Sequence, residues 1–437
     1  MRWKETEYSG WGRVTSAHGE LARPEKLGAL KATLEEGLVP AIGMRRSYGD
    51  AALNSGGRAI DMTRLDRILA FDADTGVVEA EAGIRIGELA RIFAPRGWIP
   101  TIMPGTGLAT LGGCIAQDVH GKAHHVDGSF GQHVLSVTLL QKDRRVVATP
   151  ARNKALFRAT MGGVGQTGVI VSARIQMTRC PGTTMRVHEK RAENWDAHIA
   201  LLDACSAPYV VGWVDTTARG ADMGRGIVEE GEFDTGREPW PEKSRRVPLD
   251  APSFTLSAPV VKLFNIVYYG RVPAEGRISV RPIPEFFFPL DRILDWNRLY
   301  GKRGFYQFQA VVPLAEVGAL KAMMRKISDA AMASPLAVLK RMGPGRAGHM
   351  SFPMEGYTLA LDIPARKGAA ELIGALNAMT LEAGGRLYLA KDALADGATI
   401  KAMYPEHGEW AAICDKADPE RSLQTDLTRR LNLRSGS

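Results

Sequence analysis

The sequence predicts a mixed α+β protein of two domains, and three observations carry that expectation. The chain has 437 residues, more than a single hydrophobic core ordinarily organises, so two domains, with interleaving allowed, are the natural prior. Residues 39–175 alternate between strand-like and helix-like patterns. After "RCPGT" (179–183) the character changes to long polar insertions and clustered aromatics.

The elements follow in chain order. "GVVEAEAG" (76–83) reads as a short strand. "IRIGELARIFAPRG" (84–97) places Ile86, Leu89, Ile92 and Phe93 at helical spacing and is closed by Pro95 and Gly97. "TGVIVSARIQM" (167–177) alternates, which puts Val169, Val171, Ala173, Ile175 and Met177 on one face of a half-buried strand and Ser172, Arg174 and Gln176 on the other. Residues 229–253 are charged, Pro-rich and aperiodic, which predicts a loop. Aromatics cluster in "FNIVYYG" (264–270), "PEFFFPLDRILDWNRLY" (284–300) and "GFYQFQAVVP" (304–313), and the last alternates like a strand. "AAELIGALNAMTLEAGG" (369–385) predicts an amphipathic helix stopped by glycines, followed by a short strand in "RLYLAKD" (386–392) and helices to about Leu433.

Composition narrows the classes. The chain is 45% hydrophobic and 24% charged, as in ordinary globular proteins, with a formal charge of +8. That charge suits anionic partners such as phosphates or an acidic membrane surface. Without a dense Lys/Arg run or zinc-finger spacing, nucleic acid is not an expected partner. Cys114, Cys180, Cys205 and Cys414 form no CxxC pair, which argues for thiols in a reducing compartment. No signal-peptide pattern opens the chain, and no apolar run reaches the ~18 residues of a spanning helix. A cytoplasmic location is expected, with peripheral membrane attachment compatible with the charge.

Three glycine-bearing stretches lie beside strands in the first half: "AIGMRRSYGD" (41–50), "PGTGLATLGGCIAQDVHG" (104–121) and "MGGVGQTGVI" (161–170). Glycine lets backbone N–H groups approach a pyrophosphate. Neither a Walker lysine motif nor a well-placed GxGxxG is present. Three such loops in one α/β segment suit a large cofactor threaded across it, and FAD fits better than a lone nucleotide.

"RRSYGDAALNSGGRAIDMTRLDRI", "PGTGLATLGGCIAQDVHGKAHHVDGSFGQHV" and "RLYLAKD", with "PLDRILDWNRLYGKRGFYQFQAVVP", "LKRMGPG" and "MYPEHGEW", resemble the vanillyl-alcohol-oxidase (PCMH-type FAD-binding) superfamily of flavoproteins. Within it they resemble the branch acting on polyprenylphosphoryl ribose. The resemblance implies a two-domain fold: an FAD-binding domain over 1–182, an inserted α+β substrate domain over 183–385, and a return to the FAD-binding domain over 386–437. It implies FAD-dependent oxidation of a ribose 2′-hydroxyl on a polyprenyl phosphate. A separate NAD(P)H-dependent ketoreductase partner then completes epimerisation to arabinose.

The same resemblance implies that FAD is held by Ala41, Ile42, Gly43, Met44, Arg45, Arg46, Ser47, Tyr48, Gly49, Asp50 and Ala51. It adds Gly105, Thr110, Leu111, Gly112, Gly113, Gln117, Asp118, Val119, His120, Gly121, Ile170 and Tyr388. In many relatives a histidine of the first loop is joined covalently to the flavin. The matching position here is Arg46, which implies non-covalent FAD.

Flavin oxidation of a secondary alcohol needs an acceptor for the hydroxyl proton and stabilisation of the charge arriving on the ring. The expected catalytic residues are Lys391, Tyr48 and His120, the last as the proton acceptor, for which an ordinary pKa near ~6.5 is suited, or as an orienting donor to the alcohol oxygen. Lys391 doubles as a substrate ligand, joined by Lys122, Gln309, Lys340 and Trp213. The competing readings are a snorkelling surface lysine and a histidine packed for structure. "QDVHGKAHH" (117–125) holds His120, His124 and His125, but adjacent loop histidines seldom converge on one ion, so no metal is expected.

This chain also departs from the branch. Ala360 stands where relatives carry a reactive cysteine, and Phe286, Phe287 and Phe288 replace a more polar pattern, implying a drier pocket. Gln117 and Cys114 depart as well. Two other readings remain open: an aldonolactone or alditol oxidase with a small soluble substrate, and a non-catalytic flavin-binding partner of a reductase.

Overall fold

The structure, a computed structural model, describes residues 2–142, 144–241, 244–332 and 334–434. It is a mixed α/β fold with three principal sheets. The first has four strands in the order Lys4–Ser9, Ser16–Ala22, Arg58–Asp61 and Ala41–Ile42. Its first pair is antiparallel and the rest is parallel. The chain leaves Ala41–Ile42 directly into the first glycine-bearing loop.

The second sheet is built on Val169–Arg179, which pairs antiparallel with Val77–Glu81, Val134–Gln141 and, at its end, Trp98–Pro100. Here the expected single apolar face is corrected. A register shift between Ile170 and Ser172 reverses the alternation. Val169 and Val171 pack with Leu30, Ile60 and Leu65, while Ile170, Ala173, Ile175 and Met177 join a separate core with Ile99 and Leu139. Ser172, expected on the open face, is buried as a result. The helix Ile86–Phe93 buries Ile86, Leu89, Ala90 and Phe93 in one stripe and leaves Ile92 half-buried. Gly97 closes the following turn at φ 82°, a left-handed conformation that favours glycine.

The third sheet has eight antiparallel strands: Arg277–Pro282, Thr184–Ala192, Gly226–Asp234, Tyr209–Val214, Ala337–Met342, Gly356–Pro364, Phe305–Val312 and Arg386–Leu387. The polar stretch 229–253, expected to be a loop, therefore begins as strand. Its carboxylates are answered by cations: Glu230 meets Lys190 at 2.7 Å, and Glu229 meets Arg271 at 3.4 Å. Charge concealed a strand whose backbone is paired on both sides. Further on, Arg245–Arg246 pairs with Ile293–Leu294. Glu242 and Lys243 of that stretch lie outside the described residues.

After Arg386–Leu387 the chain returns to the first segment. Arg430 holds Asp50 at 2.7 Å and Asp392 at 2.8 Å. Gln166 donates to the Leu423 carbonyl at 2.6 Å, and the Ser55 amide to Asp426 at 3.0 Å. These bonds fix "LYLAKD" against the glycine-bearing loops. Among the described residues, no helix is long and apolar enough to cross a membrane.

Candidate active site

The glycine-bearing loops, the inner strands of the eight-stranded sheet and the 388–391 turn enclose a cavity of about 1010 Å³. That lies at the upper end of the range for small-molecule sites and leaves room for a dinucleotide and a substrate together. Three non-glycine residues in these loops take left-handed backbone angles: Arg45 (φ 50°), Asp118 (φ 39°) and Val164 (φ 45°). Such strain concentrates at functional sites, and Val164 is β-branched, the residue shape least suited to it.

Of the residues expected to hold a cofactor, Ala41, Ile42, Gly43, Met44, Arg45, Arg46, Ser47, Tyr48, Ala51, Gly105, Thr110, Gly113, Gln117, Val119, His120, Gly121 and Tyr388 line the cavity. Six others stand behind it. A side chain on Gly49 would strike the Asp392 carbonyl, and one on Gly112 would press on Ala82. Asp50 is engaged by Arg430. Leu111 and Ile170 belong to the core. Asp118 accepts from the Gly131 amide (2.7 Å), the Ala347 amide (3.2 Å) and the Ser351 hydroxyl, so it braces the loop from within.

The donor set fits FAD. Gly105 lines the cavity with open space beside its Cα. Arg46 Nε and His120 Nδ1 are buried without a hydrogen-bond partner among the described residues. Such atoms are costly unless a ligand satisfies them. The Arg46 guanidinium stacks on Trp11, 4.0 Å from the ring centroid.

At the far end of the loops the expected catalytic groups converge. Lys391 Nζ lies 3.8 Å from the Tyr48 ring centroid. Burial pushes this lysine down to about 7; Asp362 opposes the shift and Lys340 adds to it. Tyr48 is buried, and burial together with Asp362 holds its phenol well above its ordinary range, so it remains a hydrogen-bond donor. His120 packs against Phe352 and Tyr388, 5.3 Å from each ring centroid. Burial first, then Lys340, His124 and Lys391, holds its imidazole well below 6.5. At neutral pH the ring is therefore uncharged and a weaker base than an ordinary histidine, which suits the orienting-donor role better than the proton-acceptor role. Gln309 Nε2 donates to His120 Nε2 at 3.0 Å, which places the ring proton on Nδ1.

Lys122, Lys340, Gln309 and Trp213 line the same cavity. Burial lowers Lys340 to about 8, with Lys122 adding to the shift. Burial likewise lowers Lys122 to about 8 against the pull of Glu229. Lys122 donates to the Phe286 carbonyl at 2.5 Å. Trp213 packs on Tyr268 at 4.7 Å and donates to the Pro335 carbonyl at 3.1 Å. Ala360 lies in the wall directly across from Gln309. Phe286, Phe287 and Phe288 are all buried, and Phe287 reaches the cavity. His124 and His125 serve the loop separately: His124 Nδ1 accepts from the Gly343 amide (3.2 Å), and His125 meets the Ala207 carbonyl (2.9 Å).

Sequence reading missed several groups. Asp362 is fully buried behind Lys391 and accepts from the Tyr300 hydroxyl (2.9 Å) and Gln307 (2.5 Å). Burial raises its carboxyl to about 7 despite these bonds. A lone carboxylate in the apolar strand "GYTLALDIP" was the available signal. Asp291 in the cavity wall accepts from the Thr106 hydroxyl and the Gly107 amide, both at 2.7 Å. No local pattern marks it, because its partners lie 184 and 185 residues away.

A flavin-sized cavity between glycine-bearing loops, ending in a buried amine, imidazole and phenol, is the site of a redox flavoprotein. Residues 29–150 match the FAD binding domain family. The decaprenylphosphoryl-beta-D-ribose oxidase of Mycolicibacterium smegmatis is 36% identical over 97% of both chains. A Streptomyces coelicolor protein described as an uncharacterized protein in the mprA 5′ region is 30% identical over 80% of this chain and all of its own. The D-arabinono-1,4-lactone oxidase of Eremothecium gossypii is 23% identical over 53% of this chain and 45% of its own. The protein is an FAD-dependent oxidoreductase. It belongs to the decaprenylphosphoryl-ribose oxidase family.

Proposed function

We propose that the protein oxidises the 2′-hydroxyl of a polyprenylphosphoryl-β-D-ribose to the 2′-keto sugar. The observation that carries this reading is the gathering of Lys122, Lys340 and Lys391 in one cavity, all held below the ordinary lysine range by burial. Glu229 stands near Lys122 and Asp362 acts on Lys391, so the three amines outnumber these two carboxyls and suit one added anion. A sugar-linked phosphate supplies that anion, and the apolar rim described below suits the prenyl chain.

Bound FAD supplies the two-electron acceptor for the carbinol hydride. The protein's own groups handle the proton and the orientation. His120 Nδ1–H, without a hydrogen-bond partner among the described residues, donates to the hydroxyl oxygen and holds it in place. Lys391, substantially neutral near pH 7, takes the hydroxyl proton onto Nζ. Tyr48 packs under Lys391 and fixes its position. Gln309 keeps His120 in the required tautomer. Lys340 and Lys122 bind the phosphate, and Trp213 walls the sugar.

FAD is held without a covalent bond. Among the described residues, the cavity lining contains no cysteine and one histidine, His120. Acid precipitation should release all yellow colour into the supernatant. The first two sheets lie within 1–182, which supports an FAD-binding unit there and a substrate unit over 183–385. The return over 386–437 is supported by the Arg430 bridges to Asp50 and Asp392, since Arg386–Leu387 itself pairs with Phe305–Val312. The 2′-ketone leaves for a nicotinamide-dependent ketoreductase. The reaction is tested by mass spectrometry: polyprenylphosphoryl ribose incubated with the yellow enzyme should yield a product lighter by two hydrogens. Unchanged lipid alongside an oxidised aldonolactone would replace this reading with a small-substrate oxidase.

A further inference from the structure

The helix Ala258–Gly270 is turned inside out for a globular protein. Its inner face is narrow: Val261 is buried, and Asn265, one turn on, donates to Asp215 at 2.7 Å. Its outer face presents Val260 (44% exposed), Leu263 (64%), Phe264 (48%), Ile266 (46%) and Val267 (66%). The segment contains one charged residue, Lys262, and no acid. Single exposed apolar residues are ordinary, but five on one helix face form a contiguous patch of the kind that marks an interaction surface. Phe254 (67% exposed), in the turn just before the helix, extends it.

The patch is continuous with the active-site cavity. Val260 and Phe264 are exposed and also line the cavity, as do Ile293 and Leu299. They therefore form its mouth. Arg246, itself a lining residue, stands at the same rim with a half-exposed Asp295 at 3.2 Å.

We propose that Ala258–Gly270 is an interfacial helix that seats the cavity mouth on an anionic lipid bilayer. The inference rests on the prenyl-phosphate reading of the site. A substrate whose tail remains in the bilayer reaches the buried lysines only if the mouth meets the membrane, and the exposed groups shared by mouth and helix, Val260 and Phe264, are apolar. An interfacial helix has this composition: an apolar outer face buried to headgroup depth and a long cation that snorkels to the phosphates, the role open to Lys262. The basic net charge of +8 adds attraction to an anionic surface.

The test is sedimentation of the FAD-loaded enzyme with vesicles of phosphatidylcholine and phosphatidylglycerol in equal amounts, without substrate. Leu263 and Val267 lie outside the cavity, so the variant carrying Leu263→Gln and Val267→Gln should keep its flavin and its activity on a short-chain, water-soluble prenylphosphoryl ribose. Wild-type enzyme should sediment with the vesicles, and the double variant should partition roughly 10- to 100-fold less, since two large apolar side chains no longer leave water. Wild-type protein left in the supernatant overturns the proposal, and so does a double variant that binds equally well. A doubled solution mass that the variant abolishes also overturns it, by showing that a second copy covers the face. Failure to oxidise the short-chain substrate would strike the ribose reading instead, and is read separately from sedimentation.

Discussion

Lys391 Nζ stands 3.8 Å from the centroid of the Tyr48 ring, with the buried carboxyl of Asp362 behind it. The aromatic face and the carboxyl favour the ammonium, while burial and Lys340 oppose it. The balance leaves the amine at about 7. An amine in that range can exchange a proton at neutral pH, which an exposed lysine near ~10.4 does poorly.

Replacing Lys391 with Met keeps the stem and removes the amine. Flavin absorbance should be retained, and the rate of flavin reduction should fall about 10²- to 10⁴-fold. Stopped-flow absorbance checks this, and a near-normal rate would remove the proposed role.

Asp362→Asn preserves the contacts to Tyr300 and Gln307 in outline but deletes a charge that raises the Lys391 pKa. The lysine should then lose its proton at lower pH. The limb of the pH–rate profile assigned to Lys391 should move to lower pH. A limb in its original position would detach Asp362 from the lysine.

His120→Phe separates chemistry from packing. The phenyl ring can keep the contacts to Phe352 and Tyr388 but cannot donate. Thermal stability should hold, and kcat should fall about 10²-fold. Retained kcat would make His120 a packing residue.

Anion binding should depend on pH with a defined sign. Burial lowers Lys122 and Lys340, the proposed phosphate ligands, to about 8. The cations are present below this value and lost above it, so KM for the phosphate-bearing substrate should rise as pH passes from 7 to 9. Lys340→Met should raise KM roughly 10-fold or more at pH 7, the scale of one charged hydrogen bond, with a smaller change in kcat. An unchanged KM would place the phosphate elsewhere.

Arg430 joins two buried carboxylates, Asp50 and Asp392, from the first loop and the "LYLAKD" turn. Arg430→Met leaves both unpaired and should cost about 3–5 kcal/mol of stability. Loss of FAD at a lower temperature, followed by flavin fluorescence on heating, is the readout.

The parts legible in the sequence were those set by local pattern. Gly43, Gly105 and Gly113 announced loops that a cofactor can approach, and the 3.6-residue spacing announced the helix Ile86–Phe93. "LYLAKD" was legible only through resemblance, because nothing local brings Lys391 to Tyr48. Three features escaped. The bulge at Ile170–Ser172 inverted a strand face, which no count of alternating residues reveals. Ion pairs to Lys190 and Arg271 let a charged segment run as strand. The burial of His120 near Lys340, His124 and Lys391, which lowers its imidazole below the ordinary range, escaped as well, because no local pattern brings Lys340 and Lys391 to it.

The most direct test of the account is anaerobic mixing of the yellow enzyme with polyprenylphosphoryl ribose while flavin absorbance is followed. Bleaching within the mixing experiment, lost in the Lys391→Met variant, is the expected result. A flavin that stays oxidised with the ribose lipid, yet bleaches with a free aldonolactone, would contradict the assignment.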